Sequence, residues 1–342
     1  MSDYKFGVLK YSAINIGDDI QSIAAMRFLP RIDEYIHRDR MDKYRSSIKT
    51  KVIMNAAWML EPWHMPPSDD VEPLLTSVHL KCITRKHMSK KLVEYLIAHG
   101  PVGARDTNTM EYLLNLGVPS YFSGCLTTTL VKNPNIKKGE HIIAVDMPKY
   151  IVDEISKRTC RKVYSISRLA LPYFNQIERF KLAKLQLYMY HSAHCVVTRA
   201  LHAAIPCLVF DTPVLMLDLK ALPFDNKNDP RYYGLLDLFD VINEKDFVLN
   251  RDIYDFDNPP QNPKRYLQMR DNLINTCSNF TGFDNANPSI SEFAEPMLEM
   301  YSMMGYQQYR IDRMAYWSNP SVLFSVALKK ILLKKTRCDL KI

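Results

Sequence analysis

The sequence predicts an α/β protein built from two doubly wound domains that face a cleft. Three observations carry that expectation. The chain has 342 residues, a length that suits two ordinary domains better than one. Apolar strand-like runs alternate with helically patterned segments in both halves, the signature of parallel sheets. The sharpest unit is Cys195 to Val214, CVVTRALHAAIPCLVFDTPV. Its apolar run Cys195–Val197 ends at the hydroxyl of Thr198, the expected N-cap of a short helix, and Arg199 and His202 follow within one helical turn. Pro206 then stops the helix, and Cys207–Phe210 begins a second strand. Open α/β sheets bind ligands at the carboxyl ends of their strands. An arginine and a histidine there can receive an anion and move a proton.

The first half opens with a strand over Phe6–Lys10, a turn over Asn15–Asp19 and a helix from Ile20 to Phe28 that stops at Leu29-Pro30. Val52–Asn55 reads as a strand leading into a loop that carries Trp58, Trp63 and His64. Helical patterning returns at Met88–Ala98. Pro101–Asp106 forms the next strand and turn, and a helix over Thr107–Leu116 is closed by Gly117. A mixed apolar and hydroxyl run, Tyr121–Thr129, completes this half, and the polar Asn133–Glu140 is the linker. The second half starts with a strand at His141–Val145, and a helix over Gln176–Tyr190 precedes the Cys195 unit. The domains are therefore set at 1–138 and 139–300, Rossmann-like in pattern, with 301–342 as a helical extension. Residues 225–300, rich in Asp, Asn, Pro and aromatics, give no clear pattern.

Hydrophobic residues make up 47% and charged residues 24% of the chain, which is globular composition. No run approaches a membrane span, and MSDYKFGVLKYS lacks the apolar core of a signal peptide. Seven cysteines are scattered without metal-ligand spacing. Those in apolar runs (Cys82, Cys195, Cys207) read as buried, reduced thiols, so a cytoplasmic location and no metal are expected. The net charge is +8, but residues 301–342 hold eight Lys/Arg against two Asp. The rest of the chain has no basic stripe, which excludes a nucleic-acid-binding domain. Within the tail, Leu323, Val326, Ile331 and Leu333 alternate with Lys329, Lys330, Lys334, Lys335 and Arg337. Such a basic amphipathic helix packs on the protein body or rests on an anionic membrane surface.

Four segments together resemble one family. They are NIGDDIQSIAAMRFLP (Asn15–Pro30), GARD with the threonines after it (Gly103–Thr109), YFSGCLTTTL (Tyr121–Leu130) and VVTRALHAAIPCLVFDTPV (Val196–Val214). In this order they resemble the polysaccharide pyruvyl transferases. The resemblance implies a GT-B-like pair of domains. It also implies transfer of pyruvate from phosphoenolpyruvate to two hydroxyls of a sugar or polysaccharide acceptor, forming a ketal and releasing phosphate. No cofactor is required, since phosphoenolpyruvate is a co-substrate. The domain 1–138 would take the acceptor and 139–300 the donor.

The donor brings a carboxylate and a phosphate, so its site needs fixed cations and helix N-termini. The resemblance points to Arg105, Arg199, Thr198 and Leu201 for the donor, and to His202 and Asp18 for proton transfer. It points to Asn15, Gly17, Gln21, Ser123 and Thr127 for the acceptor. His202 suits either direction of proton transfer near neutral pH. Plainer roles stand beside these: a core histidine for His202, helix caps for Asp106 and Asp18, and local backbone bonding for Ser123 to Thr129. The aromatic loop with Trp63 could stack on a sugar or simply cover apolar surface.

One departure matters. The family pattern is Ser or Thr, any residue, then Arg-Leu-His, whereas here Thr198-Arg199-Ala200-Leu201-His202 puts alanine at the arginine position. One residue turns a helical side chain by ~100°, so Arg199, at i, i+3 to His202, would share its face and could substitute. A nucleotide-sugar glycosyltransferase of the same architecture, or a non-catalytic glycan- or anion-binding relative, are the competing functions.

Overall fold

The computed structural model describes residues 4–11, 13–55, 57–58, 62–169, 174–219, 230–288 and 290. The first half contains β1 (Lys5–Lys10), α1 (Ile16–Met26), β2 (Glu34–His37), β3 (Thr50–Ile53), β4 (Ala57–Trp58), β5 (Val71–Leu74), β6 (His79–Leu80), α2 (Cys82–Lys86), α3 (Lys90–Ala98), β7 (Val102–Ala104), α4 (Thr107–Asn115) and β8 (Ser120–Phe122). The second half contains β9 (Ile142–Val145), α5 (Lys149–Ser156), β10 (Val163–Ile166), α6 (Gln176–Ser192), β11 (Cys195–Thr198), α7 (Leu201–Val209), β12 (Val214–Asp218), β13 (Val241–Asn243), α8 (Glu244–Leu249) and α9 (Leu267–Thr281). The protein is thus mixed α/β.

Both sheets are parallel. The first has the order β2-β1-β3-β5 and the second β10-β9-β11-β12-β13. Past β5 the chain stays beside β7: Gly103 N–H donates to Leu75 C=O, Val78 N–H to Gly103 C=O and Arg105 N–H to Val78 C=O. Since β7 also pairs with β8 in parallel, the first sheet continues through those strands. Each sheet changes direction beside its first strand, β1 in one and β9 in the other. That change of direction makes the switch point where ligands bind.

The two faces of each central strand enter different cores, as a sheet covered on both sides requires. In β9, Ile143 and Val145 point into one apolar cluster while Ile142 and Ala144 point into another. The larger cluster is shared by both halves. Phe6, Val8, Ile16, Ile20 and Ile23 pack in it with Val145, Val196, Leu201 and Ala204.

Helix α1 carries much of the junction. Its buried Asp19 accepts from Arg179 of α6 at 2.5 and 3.2 Å and from Gln176 Nε2 at 2.8 Å. Ile16 N–H donates to Arg168 C=O at 2.9 Å, and Asn15 bridges Leu169. The chain returns to the first half just past α9, where Asp284 pairs with Arg27, the residue after α1, at 2.6 Å.

Several sequence expectations need correction. Helix α1 starts at Ile16 with Asn15 as its N-cap, so the expected turn over Asn15–Asp19 is already helix. Thr198 does not cap α7; Ala200 does, in extended conformation. Cys207–Phe210 is not a strand, because α7 runs through Pro206 to Val209 and the next strand begins at Val214. Burial overrides the proline here: every residue of α7 is buried. Pro206 lacks an N–H, so within the helix it leaves the His202 carbonyl without its usual donor. By contrast Asp106 caps α4, and Gly117 closes it at φ +75°. The 301–342 extension and the Trp58 and Cys82 side chains lie outside the described residues.

The Asp19–Arg179 pair yields a first prediction. Asp19→Ala leaves a buried guanidinium unpaired and should destabilise the fold by about 3–5 kcal/mol. Urea denaturation measures it, and a loss below about 1 kcal/mol would contradict a structural role for the pair.

Candidate active site

The N-termini of α1 and α7 meet. A Cβ on Gly17 would lie 2.7 Å from His202 Nδ1 and 3.1 Å from its Cβ. The absent side chain at 17 is therefore what lets the imidazole lie against the first turn of α1. His202 is 8% exposed, and its Nε2 has no hydrogen-bond partner among the described residues. Burial holds the imidazole well below its ordinary pKa, and the positive charges of Arg105, Arg168 and Arg231 push the same way.

Those arginines reach the site from separate elements. Arg105 is the first residue beyond β7, is 3% exposed, and its Nε is buried without a partner among the described residues. Arg168 follows β10, and its Nε donates to Asp146 at 2.5 Å. Asp146 stands immediately after β9, at the switch point, with φ +53°. A non-glycine residue in that conformation is strained and is often found at functional sites. Its carboxylate also accepts Arg168 N–H at 3.2 Å. Arg231 lies on the short 3-10 turn Pro230–Tyr232.

Asp18 sits beside Gly17. Its Oδ2 accepts Arg38 Nη1 at 3.1 Å and its Oδ1 accepts Gln21 Nε2 at 3.4 Å. Arg38 is 1% exposed, held also by Asp39 at 2.9 Å and stacked over the Tyr11 ring. Lys81 feels this cluster as well: burial lowers its pKa, Asp18 opposes that, and Arg38 and Arg231 add to it.

His79 Nδ1 lies 2.6 Å from Asp106 Oδ2. Burial pushes the imidazole down to about 4, against the pull of Asp106. Burial raises the carboxyl of Asp106, but the bond from His79, the charges of His79 and Arg105 and the Thr109 N–H together hold it below its ordinary value.

The structure thus brings together Gly17, Asp18, Arg105 and His202 of the residues singled out in the sequence. Asn15 is engaged as the α1 cap, accepting Gly17 N–H at 3.1 Å. Gln21 is fully buried, with its Oε1 unpartnered among the described residues. The Thr198 hydroxyl accepts Ala200 N–H at 3.0 Å. Leu201 opens α7 and is packed in the shared core.

Arg199 lies before the helix, so the i, i+3 argument that placed it on the His202 face does not hold. Its carbonyl accepts the Tyr232 hydroxyl at 2.8 Å, and it is not among the charges that act most on His202. The Ser123 hydroxyl accepts Ser77 N–H and donates to Ala104 C=O, both at 3.0 Å. The Thr127 hydroxyl lies 3.1 Å from Cys125 Sγ.

Sequence reasoning missed Arg38, His79, Lys81, Arg168 and Arg231. Arg168 carries a usable signal, a basic residue just past an apolar strand, the same signal that singled out Arg105. Arg231 carries none. Among the described residues no group of His, Cys, Asp or Glu could hold a metal ion, and no helix is long and apolar enough to cross a membrane.

A family model for polysaccharide pyruvyl transferase matches residues 15–220, more than half of the chain. The chain belongs to the polysaccharide pyruvyl transferase family. The matched span contains most of the basic cluster and both helix N-termini at its centre. No curated protein matches the chain.

Solved structures similar to it include a functionally uncharacterized protein of Klebsiella pneumoniae, with 14% identity and a TM-score of 0.41 over 68% of this chain and 89% of that one. A UDP-GlcNAc 2-epimerase of Methanocaldococcus jannaschii, in complex with UDP-GlcNAc and UDP, matches with 10% identity and a TM-score of 0.42 over 80% and 99%. The E. coli heptosyltransferase WaaC with ADP matches with 13% identity and a TM-score of 0.25 over 64% and 88%. The cations that bear most on His202 are Arg105, Arg168 and Arg231.

Two predictions follow from this geometry. His79 and His191 are both held neutral at about 4, against about 6.5 when unfolded. Between those values the unfolded chain binds more protons, so stability falls as the pH drops through 6.5 and keeps falling towards 4. Each should remove of order 2 kcal/mol between pH 7 and pH 5. Urea midpoints at the two pH values measure this, and a flat profile would contradict buried neutral imidazoles. Gly17→Ala should leave a folded protein, about 1–3 kcal/mol less stable, with His202 displaced. A histidine-labelled NMR spectrum reads that displacement directly.

Proposed function

We propose that this protein transfers the pyruvyl group of phosphoenolpyruvate to two hydroxyls of a sugar or polysaccharide acceptor. The observation that carries the reading is the set of guanidinium groups around His202: Arg105 with an unsatisfied buried Nε, Arg168 and Arg231. A buried guanidinium nitrogen without a partner is costly, and a ligand with two anionic groups relieves that cost. Arg168 and Arg231 compensate for the alanine at 200. Donor cations then come from both halves, so donor and acceptor share the cleft between the sheets of 1–138 and 139–300. A GT-B-like arrangement of two domains belongs to the same proposal. The five described cysteines are free, four of them buried, which suits a reducing, cytoplasmic setting.

The charge field also accounts for proton transfer. Burial, with the arginines acting in the same sense, keeps His202 unprotonated before the donor binds. The donor's negative charges offset the arginines' share of that effect and favour a proton on the imidazole. An acceptor oxygen then bonds to C2 of the donor as the C2–C3 double bond opens, and His202 delivers its proton to C3. Loss of phosphate from C2 lets the second acceptor oxygen bond there. Of the two hydroxyl protons released, one restores His202 and the other leaves on phosphate. Asp18, fixed by Arg38 and Gln21, accepts hydrogen bonds from the acceptor hydroxyls.

The test is a thermal-shift titration with phosphoenolpyruvate against a panel of nucleotide sugars, since a ligand of the folded state raises Tm. Phosphoenolpyruvate should raise Tm for the wild type and fail to do so for Arg105→Ala. A shift with a nucleotide sugar alone would replace pyruvyl transfer by glycosyl transfer. No shift with any compound would favour a non-catalytic relative. Once an acceptor is found, His202→Gln should lower kcat by ~10²–10⁴.

A further inference from the structure

We propose that His79, oriented by Asp106, is a second proton-transfer group of this site, the one that takes the proton from the first attacking acceptor hydroxyl. The inference rests on the pyruvyl-transfer reading and adds a residue to it.

Three features of the geometry support it. Strand register comes first. Val78 lies opposite Ala104, and Arg105 N–H bonds to Val78 C=O at 2.7 Å. His79 and Arg105 are therefore neighbours, each the first residue beyond its partner in that pair, at the carboxyl edge of the first sheet where ligands bind.

The second feature is fixation. Asp106 uses one carboxylate oxygen to accept Thr109 N–H at 2.8 Å, capping α4, and the other to accept from His79 at 2.6 Å. Thr109 Oγ1 stands 3.4 Å from the same ring nitrogen and accepts Leu80 N–H at 3.2 Å. The carboxylate cannot turn without losing the cap, so it locks the ring.

The third is the tautomer. An ionised carboxylate only accepts, so Nδ1 carries the hydrogen and Nε2 keeps its lone pair. A ring donating through one nitrogen to a fixed carboxylate, with the other nitrogen basic, is the arrangement of an oriented general base.

The environment suits that role. Burial, with the charges of Arg105 and Arg231 acting in the same sense, keeps the ring unprotonated until the acceptor attacks, and Asp106 stabilises the imidazolium that then forms. In the reaction, the acceptor O–H bond breaks as its oxygen bonds to C2, and the proton passes to His79 Nε2. His202 protonates C3 in the same addition. His79 gives up its proton as the phosphate departs, and the second hydroxyl's proton restores His202. His79 is thus assigned a catalytic role and Asp106 a positioning one.

A plain alternative is that the pair only caps α4. Asp106→Asn separates the two roles, because Asn is an equally good N-cap but its amide no longer fixes the tautomer. The experiment is an NMR titration of protein labelled at histidine nitrogens with phosphoenolpyruvate, on wild type, His79→Gln and Asp106→Asn. The two variants assign the ring and report its tautomer. The expected result is that donor binding moves the signals of both His79 and His202. Phosphate release with an active acceptor should fall ~10²–10⁴-fold in His79→Gln and clearly in Asp106→Asn, while the affinity for phosphoenolpyruvate is kept. If His202 responds but His79 stays silent, or if His79→Gln turns over like wild type, the proposal is overturned and pyruvyl transfer stands. If neither imidazole responds to phosphoenolpyruvate, the pyruvyl-transfer reading falls and this proposal falls with it.

Discussion

The approach of α1 to α7 is the contact on which the rest of the site depends. Gly17 presents no side chain to His202, so the imidazole can sit against the first turn of a helix from the other half of the chain. The contact is held from both ends. Asp19, two residues on, is anchored to Arg179 and Gln176 of α6, and Ile16 N–H is bonded to the backbone after β10. These bonds belong to the same first turn, so the position of Gly17 is set by the backbone and a buried ion pair together. The apolar cluster shared by the two sheets supplies the bulk of the adhesion, and the polar bonds give it register.

Around that contact the protein gathers positive charge and keeps its imidazoles neutral. Arg105, Arg168 and Arg231 come from three places in the chain and all act on His202. Asp146 is bonded directly to Arg168, and Asp18 is engaged by Arg38. Positive charge gathered in a buried space is unfavourable and is relieved when an anion enters. Under the proposed function, ligand recognition and proton transfer are one electrostatic event, because the donor's charge also changes the affinity of the histidines for protons.

Much of this was legible in one dimension because it follows from local rules. Asp106 before Thr107 and Gly117 after the helix are caps with known backbone demands. Arg105 could be picked out because a charged residue just past an apolar run falls on the ligand edge of a parallel sheet. The errors around 195–214 have an equally local origin. Proline and hydroxyl residues punctuate helices by local rules, yet a helix buried on every side tolerates Pro206, and the Thr198 hydroxyl bonds to the N–H of Ala200 and caps no helix. The shift of the helix start from Thr198 to Ala200 is also what removes Arg199 from the face of His202.

The sequence by itself determined the alternation of strands and helices, the family, and the residues at the strand ends, since each depends on neighbours a few positions away. Tertiary structure alone decided which of those residues meet. Gly17 and His202 are far apart in the chain, as are Arg105 and Arg231, and His79 gains its partner only because Val78 is paired with Ala104. Strand order and the packing of α1 on α6 and α7 fix those meetings. The resulting charge field depends on distance and burial, and no spacing along the chain encodes either.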